Sequence, residues 1–302
     1  MDILADQLTQ ARARGAVFSV LGRVSPWGLR FGGQRPLTAH VLTEGDGWLE
    51  QPGQDPVRIR ARDLVLMTAG PPYALVSGPG AAAVPIADAR QQGSDPAPGA
   101  GGGATILCGA YVLDGSVANA LLCTLPRPVI VPADGQDPAF AAVVALLCSQ
   151  IGRDAPGQQT VLDRLLDLTL VFGLRAWWAR DDAAAPGWYR ALADPGLRRV
   201  LEQVHAAPQR DWTVPGLGAL AGMSRASFAA RFHQVTGQSP GSYVTGVRMQ
   251  RAEDALTRTN ATLAQVAATV GYRNEYAFAT AFRRQHGLAP GRWRTAQASQ
   301  TR

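Results

Sequence analysis

The residues best suited to molecular recognition fall into two clusters in the last third of this chain. Ser224, Arg225, Ala226, Ser227, Ala230 and His233 form the first; Arg273, Asn274, Glu275, Tyr276, Thr280 and Arg283 form the second. A serine or asparagine at a helix start accepts from orphan backbone amides, and an arginine beside it is placed to pair with phosphate. Glu275 offers a carboxylate acceptor and Tyr276 an aromatic face. The chemistry on offer is noncovalent recognition of a polyanion and its base edges. Ser224 and Arg225, Arg273 and Asn274, and Arg283 are the expected phosphate contacts.

An internal repeat positions these clusters. From Thr213 the chain reads Leu217, Ala221, Gly222, Ser224, Phe228, Phe232, Gly237, Pro240 and Tyr243. From Thr262 it reads Val266, Val270, Gly271, Asn274, Phe278, Phe282, Gly287, Pro290 and Trp293. The offset is 49 before the turn and 50 after it, so the second copy carries one extra residue at Arg273. Each copy predicts two helices: Thr213 and Thr262 cap the first, Gly222 and Gly271 end it, and Ser224 and Asn274 cap the second. The i,i+4 phenylalanine pairs pin that second helix to a core and leave its other face outward. This is the anatomy of a helix-turn-helix whose second helix enters a major groove. Between the copies a helix starts at Ser239-Pro240 and runs to about Arg258, with Tyr243, Val247, Ala252 and Leu256 buried. A helix of roughly seventeen residues spans about 26 Å, a spacer suited to major grooves about 34 Å apart.

Charge agrees with that placement. Residues 201–302 hold twelve arginines against five acids (+7), and residues 1–200 hold seventeen against eighteen (−1). One part is built to meet a polyanion and the other is not. The hydrophobic fraction of 46% and charged fraction of 17% exclude a disordered chain. No apolar run reaches eighteen residues, and the N-terminus lacks a signal-peptide core, so a cytoplasmic protein without membrane contact is expected. Cys108, Cys123 and Cys148 have no metal-site spacing and fit a reducing compartment.

The C-terminal motif resembles the DNA-binding domain of the AraC/XylS family, through Gly222-Met223-Ser224-Arg225, Phe228, Phe232, Gly237, Pro240, Arg248-Met249-Gln250, Ala267, Gly271-Tyr272, Phe278, Phe282, Gly287, Pro290 and Trp293. The resemblance implies that the outer face of each second helix reads bases: Ala226, Ala229, Ala230 and His233, then Glu275, Tyr276, Ala279 and Thr280. Many relatives carry arginine where Ala230 and Thr280 stand. That departure removes bidentate guanine readers and shifts direct reading toward the second unit. The resemblance also implies double-stranded DNA and RNA polymerase as partners, with activation more usual than repression.

The remainder reads as short strands followed by helices. Val17–Leu21, Leu29–Phe31, Thr38–Thr43, Val57–Arg60, Leu64–Met67, Tyr73–Val76 and Ile106–Val112 are separated by glycine and proline clusters, the spacing of a barrel or jelly roll. Gly93 to Gly103 reads as a mobile loop. Helices are expected over Pro138–Gln150, Gln159–Arg180 and Asp194–His205, with Ala206–Asp211 as a link. The stretch with Leu162, Leu165, Leu166, Leu170, Phe172, Leu174 and Trp177-Trp178 is more apolar than a small barrel needs, and a homodimer contact would use the surplus. His40-Val41-Leu42, Gly47-Trp48-Leu49, Asp63-Leu64-Val65-Leu66-Met67, Cys108-Gly109, Leu125-Pro126, Ala176-Trp177 and Asp194-Pro195 resemble the cupin-type sensor domain of one branch of those regulators.

The expected architecture is therefore α+β. It comprises a cupin-like barrel (jelly roll) over residues 1–135, a helical dimerisation and connector segment over 136–206, and an all-α domain with two helix-turn-helix units over 207–302. A metal cupin needs about three histidines and a carboxylate on one ion. Residues 1–204 contain only His40, and Pro72-Tyr73 stands where relatives have a Pro-His pair, so no metal, cofactor or catalytic residue is expected. His40, Trp48 and Tyr73 are candidate contacts for a small-molecule effector. Two other inputs stay open: an oxidant-sensing thiol at Cys108, and a cupin enzyme with a DNA-binding appendage.

Overall fold

Short strands rich in apolar residues build the N-terminal half, with successive side chains on opposite faces of each strand. The computed structural model describes residues 3–4, 17–95, 103–111, 122, 125–134, 136–151, 153–180 and 185–300. Its strands are β1 Val17–Val24, β2 Gly28–Phe31, β3 Leu37–Glu44, β4 Gly47–Glu50, β5 Val57–Ile59, β6 Leu64–Thr68, β7 Tyr73–Val76, β8 Val84–Pro85, β9 Gly103–Tyr111 and β10 Val129–Val131. They form two five-stranded sheets, ordered β1-β9-β3-β6-β10 and β5-β4-β7-β2-β8. Every pairing is antiparallel except β2 with β8. Leu42, Val65, Met67, Ile106 and Cys108 of the first sheet meet Leu29, Phe31, Leu49, Tyr73 and Leu75 of the second, a sandwiched jelly-roll core.

Three of these strands, β4, β8 and β10, and the helix α1 (Ile86–Gln92) are not among the expected elements. Each of these strands has four residues or fewer. Helix α1 buries Ala89 in the core and packs Ile86 against it. Its last carbonyls are served by a buried guanidinium: Arg23 donates to Ala89 O at 2.9 Å and to Gly93 O at 2.6 Å. Of the expected mobile loop, Gly93–Asp95 is fastened to β1: Asp95 accepts from Val24 N at 2.9 Å, and Ser94 from Gly22 N at 3.1 Å. Residues 96–102 of that loop lie outside the described residues.

Helices α2 (Pro138–Gln150) and α3 (Gln158–Arg180) close this unit. The first sheet is apolar on its outer face too, where Leu37, Ala39, Val41, Leu64 and Leu66 are buried. Helix α3 lies against that face. Tyr111 Oη donates to Leu166 O at 3.0 Å, and a β-carbon on Gly173 would stand 2.4 Å from Leu64 Cδ2. Leu165, Leu166, Leu170, Leu174 and Trp178 are consumed in this packing. The apolar surplus expected of α3 shrinks to Val161 and Leu168, beside Leu146 of α2.

Helices make up the rest: α4 Gly187–Ala191, α5 Pro195–Ala206, α6 Val214–Ala221, α7 Arg225–Thr236, α8 Pro240–Arg258, α9 Leu263–Thr269, α10 Glu275–His286 and α11 Pro290–Gln300. Two compact units result, and their division differs from the expected boundary at residue 206. Helices α4 and α5 belong with the C-terminal unit, which starts at Ala185. Leu197, Val200, Leu201 and Val204 of α5 join Leu217, Phe228 and Phe232 in one core, where Ile3 is also buried. A second core gathers Val266, Ala267, Val270, Phe278 and Phe282. Helix α8 serves both: Tyr243, Val244 and Val247 enter the first, while Met249, Ala252 and Leu256 enter the second. It is a shared wall more than a spacer.

Candidate nucleic-acid interface and barrel cavity

The repeat in the sequence is a repeat in packing. Phe228 and Phe232 have ring centroids 5.5 Å apart, and Phe278 and Phe282 lie 5.6 Å apart. Behind them Phe232 meets Tyr243 edge-on at 5.5 Å, as Phe282 meets Trp293 at 5.7 Å. All four phenylalanines are buried, which fixes α7 and α10 with the opposite face outward. Both helices start on side-chain caps: Ser224 Oγ accepts from Ser227 N at 3.2 Å, and Asn274 Oδ1 from Ala277 N at 2.8 Å. Thr213 accepts from Gly216 N, and Thr262 forms a capping box with Gln265.

The expected recognition residues stand where the pattern put them. Ser224, Arg225, Ala226, Ser227, Ala230 and His233 are exposed on and before α7. Arg273, Asn274, Glu275, Tyr276, Thr280 and Arg283 are exposed on and before α10. Ala229 and Ala279 are half-buried shoulders of the two helices. Tyr276 is the most exposed large apolar side chain described, at 78%. Thr280 Oγ1 donates to Tyr276 O at 2.9 Å, so its proton is occupied within the helix. The α7 surface is small and flat by comparison, and Arg231 there pairs with Asp194 at 3.3 Å.

One feature of this unit has no local sequence signal. The expected link over residues 206–211 is a strapped segment. Arg248 Nε donates to Pro208 O at 2.8 Å and Nη2 to Arg210 O at 2.9 Å, while the guanidinium lies over Tyr272 at 5.7 Å. Gly271, with φ of 81°, has the strap against it: a β-carbon there would stand 2.5 Å from Gln209 O. The strap, the shared helix and the second helix-turn-helix therefore meet at one arginine and one glycine.

In the barrel, a cavity of about 320 Å³ opens beside α1, lined by Phe31, Thr38, His40, Met67, Tyr73 and Arg90 among others. His40 Nε2 and Tyr73 Oη are 2.7 Å apart, and Tyr73 Oη is 2.7 Å from Thr38 Oγ1. Burial, and secondarily Arg90, push the His40 imidazole down to about 3, so it is uncharged at neutral pH. Burial pushes the Tyr73 phenol up despite its bond to Thr38. Of the three candidate effector contacts, His40 and Tyr73 meet at this cavity. Trp48 does not: it alternates with buried Leu49 on β4 and stands half-buried on the outer face of its sheet. Arg90 was missed, because its place depends on α1. Cys108 also lines the cavity, but burial pushes its thiol up to about 12 against the pull of Arg90. That is the opposite of an activated thiolate. Cys123 lies outside the described residues. No group of three or more His, Cys, Asp or Glu suited to a metal ion occurs among the described residues.

Comparison with known proteins accounts for both units. Residues 2–179 match the cupin family, and residues 217–296 match a helix-turn-helix domain family. An AraC-like transcription regulator of Streptomyces lividans is 33% identical over 298 residues, covering 97% of this chain and 98% of that protein. The chain belongs to the AraC family of transcription regulators. The RCS-specific HTH-type transcriptional activator RclR of Escherichia coli is 26% identical across 97% of this AraC-family chain. The solved DNA-binding domain of AdpA in complex with a target DNA shares 30% identity, covering 35% of this chain and 96% of its own, with a TM-score of 0.34. The regulator thus joins a cupin domain to a DNA-binding helix-turn-helix domain. No described helix is long and apolar enough to cross a membrane.

Proposed function

We propose that this regulator binds one face of duplex DNA with α7 and α10 in successive major grooves, as a homodimer whose affinity is set by a small molecule in the barrel. The observation that carries this reading is the pair of capped, outward-facing helices, each fixed behind by an edge-on aromatic contact, Phe232 on Tyr243 of α8 and Phe282 on Trp293 of α11. Ser224, Arg225, Arg273, Asn274 and Arg283 hold phosphates. Glu275 and Tyr276 read base edges, while Ala226, Ser227, Ala230, His233 and Thr280 allow close approach. The effector stabilises whichever domain arrangement suits the operator, shifting a population already present. RNA polymerase is the downstream partner, activation the output, the cytoplasm the setting, and catalysis plays no part.

Dimerisation falls to the residual apolar strip of Leu146, Val161 and Leu168, which are 48%, 41% and 43% exposed. Anisotropy titration of the full chain on labelled operator tests the DNA reading: affinity falls steeply as salt rises, because arginine–phosphate pairs release counterions. A flat salt response, or no preference over random duplex, would sink it. Light scattering of the double variant Leu146→Asp, Leu168→Asp tests the dimer, and an unchanged mass would discard that face.

A further inference from the structure

The barrel cavity is cationic at its mouth and aromatic at its floor. Arg90 and Arg35 line it, and no carboxylate does among the described lining residues. Arg35 is exposed and Arg90 half-buried. Arg90 uses only Nε, donating to Ser19 Oγ at 3.2 Å. Its terminal nitrogens have no partner among the described residues. They form a fork that matches the two oxygens of a carboxylate. Helix α1 cannot easily withdraw this fork, because Arg23 ties down its C-terminal carbonyls and Ala89 seats it in the core.

The floor is of a different kind. Phe31 and Tyr73 stack at 4.9 Å with planes 11° apart, and Phe31 also meets His40 at 4.4 Å. Met67 and Ile86 complete apolar walls. A volume of about 320 Å³ holds roughly ten heavy atoms, at the roughly 30 Å³ that a water takes in the liquid. His40 Nδ1, buried in the floor, has no hydrogen-bond partner among the described residues. A polar atom on a ligand that reached the floor would supply one.

Building on the barrel input described above, we propose that the ligand is a small amphiphilic carboxylate, its head on Arg90 at the mouth and its planar or apolar body on the Phe31–Tyr73 floor. A bare inorganic anion would leave the floor unfilled, and an uncharged body would leave the arginine fork unused. The charged group therefore selects, while the apolar body adds affinity by leaving water.

Calorimetric titration of the full chain with phenylacetate, phenylacetamide and inorganic phosphate separates these contributions, since acid and amide share shape and differ in charge. Phenylacetate is expected to bind at least tenfold more tightly than either of the others. Arg90→Gln is expected to abolish that tenfold preference and Arg90→Lys to retain part of it. Equal binding of acid and amide, stronger binding of phosphate, or no binding of phenylacetate would overturn the proposal. The comparison of probes uses the unaltered chain, so it stands even if Arg90→Gln fails to fold. Binding of phenylacetate with no change in operator affinity would instead refute the control of DNA binding and leave the anion site intact.

Discussion

Arg273 and Glu275 are neighbours in space with different expected roles. Arg273 is exposed beside the start of α10, where the helix amides and dipole also favour a phosphate. Replacing it with alanine is expected to weaken binding to every duplex and to lower the salt slope by about one. Glu275→Ala is expected to leave the salt slope in place and relax preference at one base pair, by about 1–3 kcal/mol. Binding titrations at several salt concentrations, on an operator library, distinguish the two. These residues were legible in the sequence because capping and helical periodicity are local. Trp48 stands apart from the cavity for a related reason: strand alternation says that Trp48 and Leu49 face opposite ways, and only the packed sheets say which way is inward.

At the scale of elements, the two turn glycines carry different loads. Gly222 has φ of 72° with nothing within 4 Å of where a β-carbon would stand, whereas Gly271 has φ of 81° with Gln209 backbone against that position. Gly222→Ala is expected to cost about 1–2 kcal/mol, the penalty of a left-handed residue alone. Gly271→Ala is expected to cost clearly more, because the new methyl must displace the strap that Arg248 holds. Urea unfolding of both variants checks this, and equal losses would mean that the strap yields freely. The same comparison for Phe282→Ala should give about 3–5 kcal/mol, since that ring is fully buried among Phe278, His286 and Trp293. The repeat made these helices readable, but not the sharing of α8 between two cores, which depends on how far each helix pair reaches along it.

For the molecule as a whole, His40 gives the barrel a dependence on pH. Its imidazole falls from 6.5 to about 3 on folding. Between those values the unfolded chain binds a proton that the folded chain does not, so stability is full above about 6.5 and declines as pH falls toward 3. Thermal unfolding of the full chain at descending pH is expected to show this decline, and His40→Gln is expected to flatten it. An unchanged slope in that variant would place the origin elsewhere. The division into two units also belongs to this scale. A boundary at residue 206 followed the motif, yet α4 and α5 bury their apolar faces in the C-terminal core and so belong to that unit.

The sequence alone determined the duplicated reading module, its caps and its exposed residues, because period, capping and charge are written within a few positions of one another. It also determined that the N-terminal half is a strand-rich barrel followed by helices, but not that helix α1 is set between β8 and β9. Tertiary structure alone decided that His40 meets Tyr73, 33 positions away along the chain, that Arg90 lines the same cavity from α1, and that α3 spends most of its apolar face on the outer face of the first sheet. Those outcomes rest on contacts between distant segments, whose geometry is set by the packing of whole sheets and helices and leaves no periodic trace along the chain.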